Sequence, residues 1–323
     1  MNTPLVSILV RSMDRPTLAR ALDSVARQDY PAIEVVVVAA AGAGHRPPPE
    51  RAGAFPVRFV ASRNPLKRAE AANVALESAR GEWLNFLDDD DELLPDHVST
   101  LRAALDAAPE ARLAHSMSED HVEGGGFLRR HGGRFKPWRQ LDTGFFRPHC
   151  AMFASSLVDE DVRFDLRFEI LEDMDFFIQC AQRTPFVFVD RATTRYYADA
   201  GDSGAGLGAN RDEKRLQDAI GVLRSKWKSL ETKLHATPEF RGEKASWLLD
   251  QGLLDEAAPL IAQLRAERPE SVDALALETL MQIVRGNVAA ARMGLDRIGD
   301  ATPSLEAVAT RISAVRARMA SLG

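Results

Sequence analysis

The segment of residues 81–95 carries the strongest structural pattern in this sequence. Residues 83–87 predict a short buried strand, which runs without a turn into four consecutive aspartates and then into a helix introduced by proline. Alternate residues of an extended segment point the same way, so we expect Asp88 and Asp90 to share one direction and Asp89 to point away. In α/β sheets, ligands bind at the carboxyl ends of the strands. The pattern therefore predicts an acidic site at a strand end.

Two converging carboxylates of this kind suit a hard divalent cation such as Mg²⁺ or Mn²⁺. The run contains no Lys or Arg that would pair with them, and a cation there keeps open positions for the oxygens of a diphosphate. The alternative is that the aspartates are solvated and that one of them caps the next helix. A second acidic cluster at residues 172–175 favours the cation site.

Residues 83–90 resemble the DxD motif of the GT-A nucleotide-sugar glycosyltransferases, and specifically of the large inverting family 2. Three further blocks resemble the same family in the same order. The resemblance implies an α/β domain of the GT-A class, with a Rossmann-like, mostly parallel sheet. It also implies a nucleotide-diphosphate sugar donor contacted by Asp88 and Asp89, and a Mn²⁺ or Mg²⁺ ion bound by Asp88 and Asp90.

The first of these blocks lies at the amino terminus. A strand at residues 4–10, a helix that starts at Thr17 and a strand at residues 33–38 form a βαβ unit, which predicts a parallel sheet. In the family, the loop after the first strand lies against the nucleotide, and Asp14 would be its polar group. Family members carry an acidic pair after the second strand, the first member of which reads the base. Alanines occupy residues 39–41 here, so the resemblance does not identify the base.

The second block precedes the aspartate run. Arg68 and Asn73 match the Arg and Asn that the family places beside the donor diphosphate. A guanidinium binds phosphate oxygens bidentately, and a helix N-terminus nearby adds positive potential. The alternative is a basic, surface-exposed helix start. The position one helix and one strand before Asp88 favours the donor site.

The third block is the acidic cluster that opens a helix at Glu172 and Asp173. It resembles the Glu-Asp motif of the family, which implies that Asp173 is the general base, with Glu172 beside it. An inverting transferase needs such a group to take the proton of the attacking hydroxyl. The alternative is an acidic helix start that favours the helix dipole. Near residue 199 the family has a histidine close to the metal; Asp199 stands there as a candidate metal ligand or as part of a surface turn.

The stretch of residues 112–146 predicts hairpins, because glycine clusters separate short strands. In the family this region varies and helps to build the acceptor pocket. Four aromatic residues are candidates for a sugar-stacking platform, although most aromatics belong to a core: Phe135, Trp138, Phe145 and Phe146. We interpret His149, at the start of the next strand, as structural.

Composition limits the classes of function. The 323 residues carry a net charge of −6, with the acidic excess in the first 210 residues, and lack a basic stripe, which argues against a nucleic-acid partner. The sequence shows no signal-peptide pattern and no apolar run long enough for a bilayer. Two cysteines are compatible with a reducing compartment. We therefore expect a soluble, cytoplasmic protein.

The carboxyl-terminal part differs in pattern. We expect a transferase domain over residues 1–210, a linking amphipathic helix over 211–237 and a helical domain over 238–323. The helix carries a basic face opposite its apolar stripe. It packs on its own domain in our interpretation, with peripheral contact at the inner face of the membrane as the alternative.

The last domain contains an internal repeat of 34 residues. Gly252 and Gly286 are separated by this interval, as are Ala257 and Ala291, and a proline follows each second helix. A period of 34 with glycine between two helices resembles the tetratricopeptide repeat. Two copies are few for a free-standing solenoid, so the repeats are expected to stack on the preceding helix. Partner binding and dimerisation are the two functions that we expect for them.

Taken with the resemblance, these patterns predict inverting transfer of a sugar from a nucleotide-diphosphate donor to a glycan, lipid-linked or protein acceptor. One alternative is a catalytically silent scaffold whose repeats bind a partner, because the acidic pair after the second strand is missing. Another is a nucleotidyltransferase, which shares the architecture and uses metal-bound phosphates. The absence of a Gly-rich phosphate loop with a basic residue after the first strand argues against it.

Overall fold

A computed structural model of the protein describes residues 3–142, 147–201 and 205–320. The chain divides into two compact units, Met1–Trp227 and Lys228–Gly323. In these described residues, no helix has the length and apolar character that a membrane crossing requires. Both cysteines are buried and unpaired.

The first unit is built around one sheet. Its strands in chain order are β1 (Val6–Ser12), β2 (Ile33–Ala39), β3 (Arg51–Ala52), β4 (Phe55–Val60), β5 (Trp83–Asp88), β6 (Glu92–Leu93), β7 (Leu113–His121), β8 (Phe127–His131), β9 (Ala151–Ala154) and β10 (Phe186–Tyr197). They lie in the spatial order β3-β4-β2-β1-β5-β9-β7-β10-β6, and β8 pairs with β7. The strands β4, β2, β1 and β5 are parallel, whereas β9 runs antiparallel to both β5 and β7. The predicted α/β class with a mostly parallel sheet is confirmed.

Helices cover both faces of this sheet. The helices of the first unit are α1 (Leu18–Ala26), α2 (Arg68–Ser78), α3 (His97–Asp106), α4 (Pro137–Asp142), α5 (Ser156–Asp159), α6 (Glu172–Ala181) and the first part of α7 (Glu213–His235). Because β1 and β2 are buried on both faces, most of their residues are apolar. Leu9 and Val36 pack with α2 in one core, while Ile8 and Val37 pack with α1 in the other. The parallel strand ends therefore meet at one edge, where the site lies.

The helix α7 crosses the boundary between the two units. Its backbone leaves helical geometry at Trp227, with φ −102° and ψ 17°. Before that point it packs on the first unit: Leu216 and Ala219 contact Ile170. Lys226 Nζ and Trp227 Nε1 donate to the buried carboxylate of Asp175 at 2.8 Å. This part of α7 is thus held on the first unit.

The second unit is helical. It contains α8 (Pro238–Asp250), α9 (Leu254–Glu267), α10 (Val272–Val284), α11 (Val288–Ile298) and α12 (Glu306–Ala320). Gly252 and Gly286, which lie between the helices of each pair, both have positive φ, +74° and +75°. The small residues Ala257 and Ala291 are buried at equivalent positions. The 34-residue interval thus relates two helix pairs, and their assignment to the tetratricopeptide class stays a prediction.

Two elements differ from the sequence-based expectation. The short helix α4 lies in the stretch for which hairpins were predicted, because α4 offers too few residues for a helical period to show. The apolar residues after Pro185 predict a strand over residues 186–190, whereas β10 continues for seven more residues, to Tyr197. Irregular pairing with β7 between Phe188 and Thr194 accompanies this extension.

Candidate active site

A buried arginine on β1 links the two acidic segments that the sequence predicts for the site. Arg11 and Asp88 are register partners on the adjacent parallel strands β1 and β5. Nε and Nη2 of Arg11 donate to the carboxylate of Asp88 over 2.7–2.9 Å, and Nη1 donates to Oε1 of Glu172 at 2.6 Å. Burial would raise the pKa of Asp88, but Arg11 and Arg68 lower it below its ordinary value. Asp88 and Glu172 are therefore both held by one guanidinium.

The second aspartate of the run stabilises the loop after β1. The side chain of Asp89 is fully buried. Its carboxylate accepts hydrogen bonds from Ser12 Oγ at 3.0 Å, from the backbone N–H of Met13 at 2.7 Å and from Arg15 Nη1 at 2.7 Å. Because these contacts use both of its oxygens, Asp89 fixes the loop that borders the cleft.

The third aspartate is the one whose charge is least compensated. Oδ2 of Asp90 lies 3.4 Å from Arg15 Nη1, and its side chain is 15% exposed. Burial, together with repulsion from Asp91 and Asp88, raises the pKa of Asp90 to about 8. The backbone of Gly201, with φ +75°, passes so close that a Cβ there would lie 2.5 Å from Asp90 Oδ2. A divalent cation would relieve the repulsion that raises this pKa.

The donor set fits a cation that takes most of its ligands from a substrate. Of the described residues, no three His, Cys, Asp or Glu side chains are arranged to hold a metal by themselves. Mg²⁺ is commonly bound by one or two carboxylates plus substrate phosphates, which is what Asp90 at the edge of a cleft offers. Asp88 is engaged by Arg11, so Asp90 is the better protein ligand of the two.

The fourth aspartate forms a buried ion pair. Oδ2 of Asp91 lies 3.0 Å from Nδ1 of His149, and its Oδ1 accepts the backbone N–H of Tyr197 at 3.1 Å. Burial opposes the charge on His149, but Asp91 raises the pKa of the imidazole to about 10. The His149 ring stacks on Tyr196, with ring centroids 6.2 Å apart. This pair fixes the wall of the cleft beyond the aspartate run.

The acidic start of α6 presents one carboxylate without a cationic partner in hydrogen-bonding range among the described residues. Asp173 is half-buried and accepts the backbone N–H of Met174 at 2.9 Å. Burial and the neighbouring Glu172 raise the pKa of Asp173 to about 7, against a smaller opposing effect of Arg11. A carboxylate with a pKa near neutrality is suited to general base catalysis at physiological pH. Leu171, with φ +61°, sets the direction in which α6 begins.

Two adjoining cavities meet at these residues. The first, of about 290 Å³, is lined on one side by Asp88, Asp89 and Asp90 and on another by Lys67 and Arg68. The second, of about 280 Å³, is lined by residues that include Glu172 and Asp173 at the start of α6. The two share five lining residues: Arg11, Arg68, Asp88, Asp91 and Tyr196. One cavity thus contains the candidate cation ligand and the other contains the candidate base.

Comparison with known families identifies this architecture. The sequence profile of the family described as "Glycosyl transferase family 2" matches residues 7–161. This range contains β1, the aspartate run and the strands on either side of them. Over these residues the chain is similar to family 2 glycosyltransferases.

Relatives of this glycosyltransferase domain have been named but not characterised. The uncharacterized protein y4gI of Sinorhizobium fredii is 28% identical over 233 residues, which are 68% of this chain and 25% of that protein. The uncharacterized glycosyltransferase YwdF of Bacillus subtilis is 27% identical over 233 residues, 67% of this chain and 84% of YwdF. The matched region spans only a quarter of the Sinorhizobium protein, so activity and partners are treated as proposals below.

A solved structure shows the same fold as the glycosyltransferase chain. Residues 1–349 of S. aureus TarS, crystallised with UDP-GlcNAc, superpose with a TM-score of 0.50 at 16% identity. The match covers 91% of this chain and 90% of that one. At this identity the likeness shows a common GT-A fold.

Three residues expected at the site line neither cavity. Asp14, with φ +59°, pairs with the exposed Arg46 at 3.0 Å. Both amide atoms of Asn73 bind the backbone of Phe164, at 2.8 and 2.9 Å, so its side chain stabilises packing between α2 and a distant loop. Oδ1 of Asp199 accepts the backbone N–H of Glu123 at 2.8 Å and thereby fixes a turn. The structure thus places these three residues outside both cavities, and their expected roles in binding the donor or the metal stay predictions.

The remaining expected residues line the cavities. Arg68 lines both, and Asp88, Asp89 and Asp90 line the first. Glu172 and Asp173 line the second. Arg11 was not singled out from the sequence, because the first strand was expected to end at Val10 and its partners are remote in sequence.

The aromatic platform and His149 also differ from expectation. Trp138 is buried and Phe135 packs on Phe186, with centroids 4.4 Å apart, so both belong to a core. Phe145 and Phe146 lie outside the described residues. His149, interpreted as structural, lines the second cavity while it pairs with Asp91.

Proposed function

We propose that this protein transfers a sugar from a nucleotide-diphosphate donor to an acceptor hydroxyl, with inversion at the anomeric carbon. The observation that carries this proposal is the junction of two cavities, one with Asp90 and basic side chains, the other with Asp173. A transferase needs such a junction, because the anomeric carbon must face the donor diphosphate on one side and the acceptor hydroxyl on the other.

The first cavity has the chemistry of a diphosphate site. Lys67, Arg68 and Arg15 line it, and cationic side chains bind phosphate oxygens through charge-assisted hydrogen bonds. Asp90 would hold a Mn²⁺ or Mg²⁺ ion together with those oxygens. When bound, such an ion supplies positive charge that stabilises the departing diphosphate. The UDP-GlcNAc complex of TarS, which shares the fold, supports a nucleotide-sugar donor.

The second cavity supplies the base. The acceptor oxygen forms its bond to the anomeric carbon while the bond from that carbon to the diphosphate oxygen breaks, and Asp173 accepts the hydroxyl proton. The raised pKa of Asp173, about 7, leaves the carboxylate basic enough for this transfer. Attack from the side opposite the diphosphate inverts the configuration.

Arg11 and Glu172 position the base. The guanidinium ties Glu172, the first residue of α6, to Asp88 at the end of β5. This contact fixes the start of α6 relative to the donor cavity, so the distance between base and anomeric carbon depends on it. Arg11 and Glu172 are thus positioning residues, which hold Asp173 in place.

A turnover assay tests the proposal. The purified chain is incubated with UDP-, GDP- and dTDP-sugars, Mn²⁺ and a panel of glycan, lipid-linked and peptide acceptors, and release of nucleoside diphosphate is measured. We expect turnover with one donor, reduced 10²- to 10⁴-fold in Asp173→Asn because the general base is lost. The matched control Asp159→Asn, which alters an exposed carboxylate on α5, should retain activity.

Other outcomes of this assay would favour a different function. Donor binding without turnover in any arm would favour the catalytically silent scaffold, whose helix pairs bind a partner protein or a second copy. Release of pyrophosphate from a nucleoside triphosphate would favour a nucleotidyltransferase. Equal turnover by Asp173→Asn and wild type would remove Asp173 from the mechanism.

A further inference from the structure

One part of the second cavity's lining is basic. Arg129 and His131 come from alternate positions of β8, and Arg147 comes from the segment before β9. Elsewhere in the lining, the acidic residues Asp88 and Glu172 are both bound by Arg11. Arg129 and Arg147 are therefore cationic groups of this cavity that Asp88 and Glu172 do not bind.

One buried carboxylate is shared between the two arginines. Oδ2 of Asp120, on β7, accepts one hydrogen bond from Nε of Arg129 at 3.2 Å and another from Nη2 of Arg147 at 3.1 Å. Asp120 is 1% exposed and does not line the cavity. Two guanidinium groups on one carboxylate leave an excess positive charge and most of their N–H donors available.

Two buried nitrogens of residues in this lining lack a hydrogen-bond partner among the described residues. They are Nε of Arg147 and Nε2 of His149. The guanidinium of Arg147 also lies over the ring of Tyr196, 3.8 Å from its centroid, which holds it in place. A buried donor without a partner costs free energy, and a ligand with acceptor oxygens would remove that cost.

The titration of His131 agrees with a positive local potential. Burial lowers its pKa to about 4, and repulsion from Arg147 acts in the same direction, against an opposing effect of Asp120. His131 is therefore neutral at physiological pH and presents an additional polar group beside the two arginines.

We propose that the second cavity recognises an acceptor that carries an anionic group, a phosphate or a carboxylate, bound by Arg147 and Arg129 while the acceptor hydroxyl lies at Asp173. This inference rests on the transferase function proposed above. A neutral saccharide would leave the excess positive charge of the two arginines uncompensated, whereas an anionic oxygen pair matches the geometry of a guanidinium.

Binding of small probes tests the charge requirement. Glycerol 1-phosphate and glucuronate are titrated into the full chain by ligand-observed NMR, with glycerol and glucose as neutral counterparts. We expect the anions to bind and the neutral compounds not to bind. Binding should weaken at least tenfold in Arg147→Gln and in Arg129→Gln. Because the side chain of Arg129 is 65% exposed, we expect Arg129→Gln to keep the fold.

The matched control is Arg130→Gln, the neighbour on β8 that does not line the cavity, which should bind like wild type. Because Arg129 and Arg147 line the second cavity and not the first, their effect assigns the signal to the acceptor side. Preference for glycerol 1-phosphate identifies a phosphate, and preference for glucuronate identifies a carboxylate. Equal binding of neutral and anionic probes, no binding of either anion, or wild-type affinity in both arginine variants would overturn the inference.

Donor hydrolysis measured in the same preparations reports on the transferase function separately. Slow release of nucleoside diphosphate without acceptor, together with arginine-dependent anion binding, supports both proposals. Anion binding without donor hydrolysis, in a preparation that also shows no turnover with the acceptor panel, supports the anion site and contradicts the transferase function. Hydrolysis without anion binding supports the function and contradicts the anionic acceptor.

Discussion

At the residue scale, the site depends on one guanidinium that binds two carboxylates from remote segments. The partners of Arg11 lie 77 and 161 residues away in sequence. Arg11 and Glu172 are almost fully buried, and Asp88 is 25% exposed at its side chain. Removing one member of a buried ionic group leaves uncompensated charge, which costs more than the group contributes as a whole.

The change Arg11→Met tests this dependence. It leaves Asp88 and Glu172 buried without their cation, so we expect the free energy of unfolding to fall by about 3–5 kcal/mol. Urea denaturation followed by circular dichroism measures it. Arg46→Met, which removes the exposed partner of Asp14, should leave the stability close to that of wild type. Equal stability of the two variants would contradict the role given to Arg11.

The pH dependence of activity follows from the pKa of Asp173, about 7. A general base works only when deprotonated, so log kcat/KM should fall with unit slope as pH drops below about 7 and level off above it. Rate profiles at saturating metal measure this limb. The residual activity of Asp173→Asn should lack it, and a wild-type profile that is flat from pH 5 to pH 8 would exclude Asp173 as the base.

Sequence patterns predicted which residue types lie at the site better than they predicted which partners each residue has. Asp88 and Asp90 were expected there because a buried strand precedes them, and Asp173 because its segment resembles the Glu-Asp motif of the family. Asn73 matched a family position, yet its amide is used by the backbone of Phe164, 91 residues away. Arg11 was missed because both of its partners lie in remote segments. Hydrogen bonds between remote segments leave no local period in a sequence.

At the element scale, α6 is positioned from both ends of its first turn. Glu172 is bound to Arg11, and Asp175 accepts hydrogen bonds from Lys226 and Trp227 on α7. The predicted βαβ opening and the strand before the aspartates were found because parallel, buried strands form apolar runs. The short α4 was not, because six residues give too little pattern.

A glycine pair tests packing within the helical elements. Gly294 of α11 lies so close to α10 that a Cβ would lie 2.2 Å from Oγ1 and 3.1 Å from Cβ of Thr279. Gly294→Ala should therefore lower stability by about 1–2 kcal/mol, because overpacking exceeds the gain in helix propensity. Gly221→Ala on α7, where no atom lies within 4 Å of the new Cβ, should be neutral or stabilising.

Thermal melting of the full chain compares the two alanine variants. We expect the melting temperature of Gly294→Ala to fall below that of wild type and that of Gly221→Ala to stay level or rise. A Gly294→Ala protein as stable as Gly221→Ala would show that α10 and α11 are not packed as closely as described.

At the scale of the whole molecule, both cavities are lined by described residues of the first unit. The division of the chain at Trp227 lies within the helix that was expected to link the two parts. The first unit therefore contains all residues proposed for donor binding and catalysis. For the repeated helix pairs of the second unit, we propose partner binding or self-association.

The most direct test of the central claim is a calorimetric titration of UDP, GDP and dTDP, each with Mn²⁺ and with a chelator, into wild type, Asp90→Asn and the control Asp159→Asn. The account predicts that one nucleoside diphosphate binds in the presence of Mn²⁺, and that binding weakens at least tenfold with the chelator and in Asp90→Asn, a loss of about 1.4 kcal/mol or more. The control should match wild type. Binding that is indifferent to both metal and Asp90, or no binding of any diphosphate by the folded protein, would contradict a metal-dependent donor site at the end of β5.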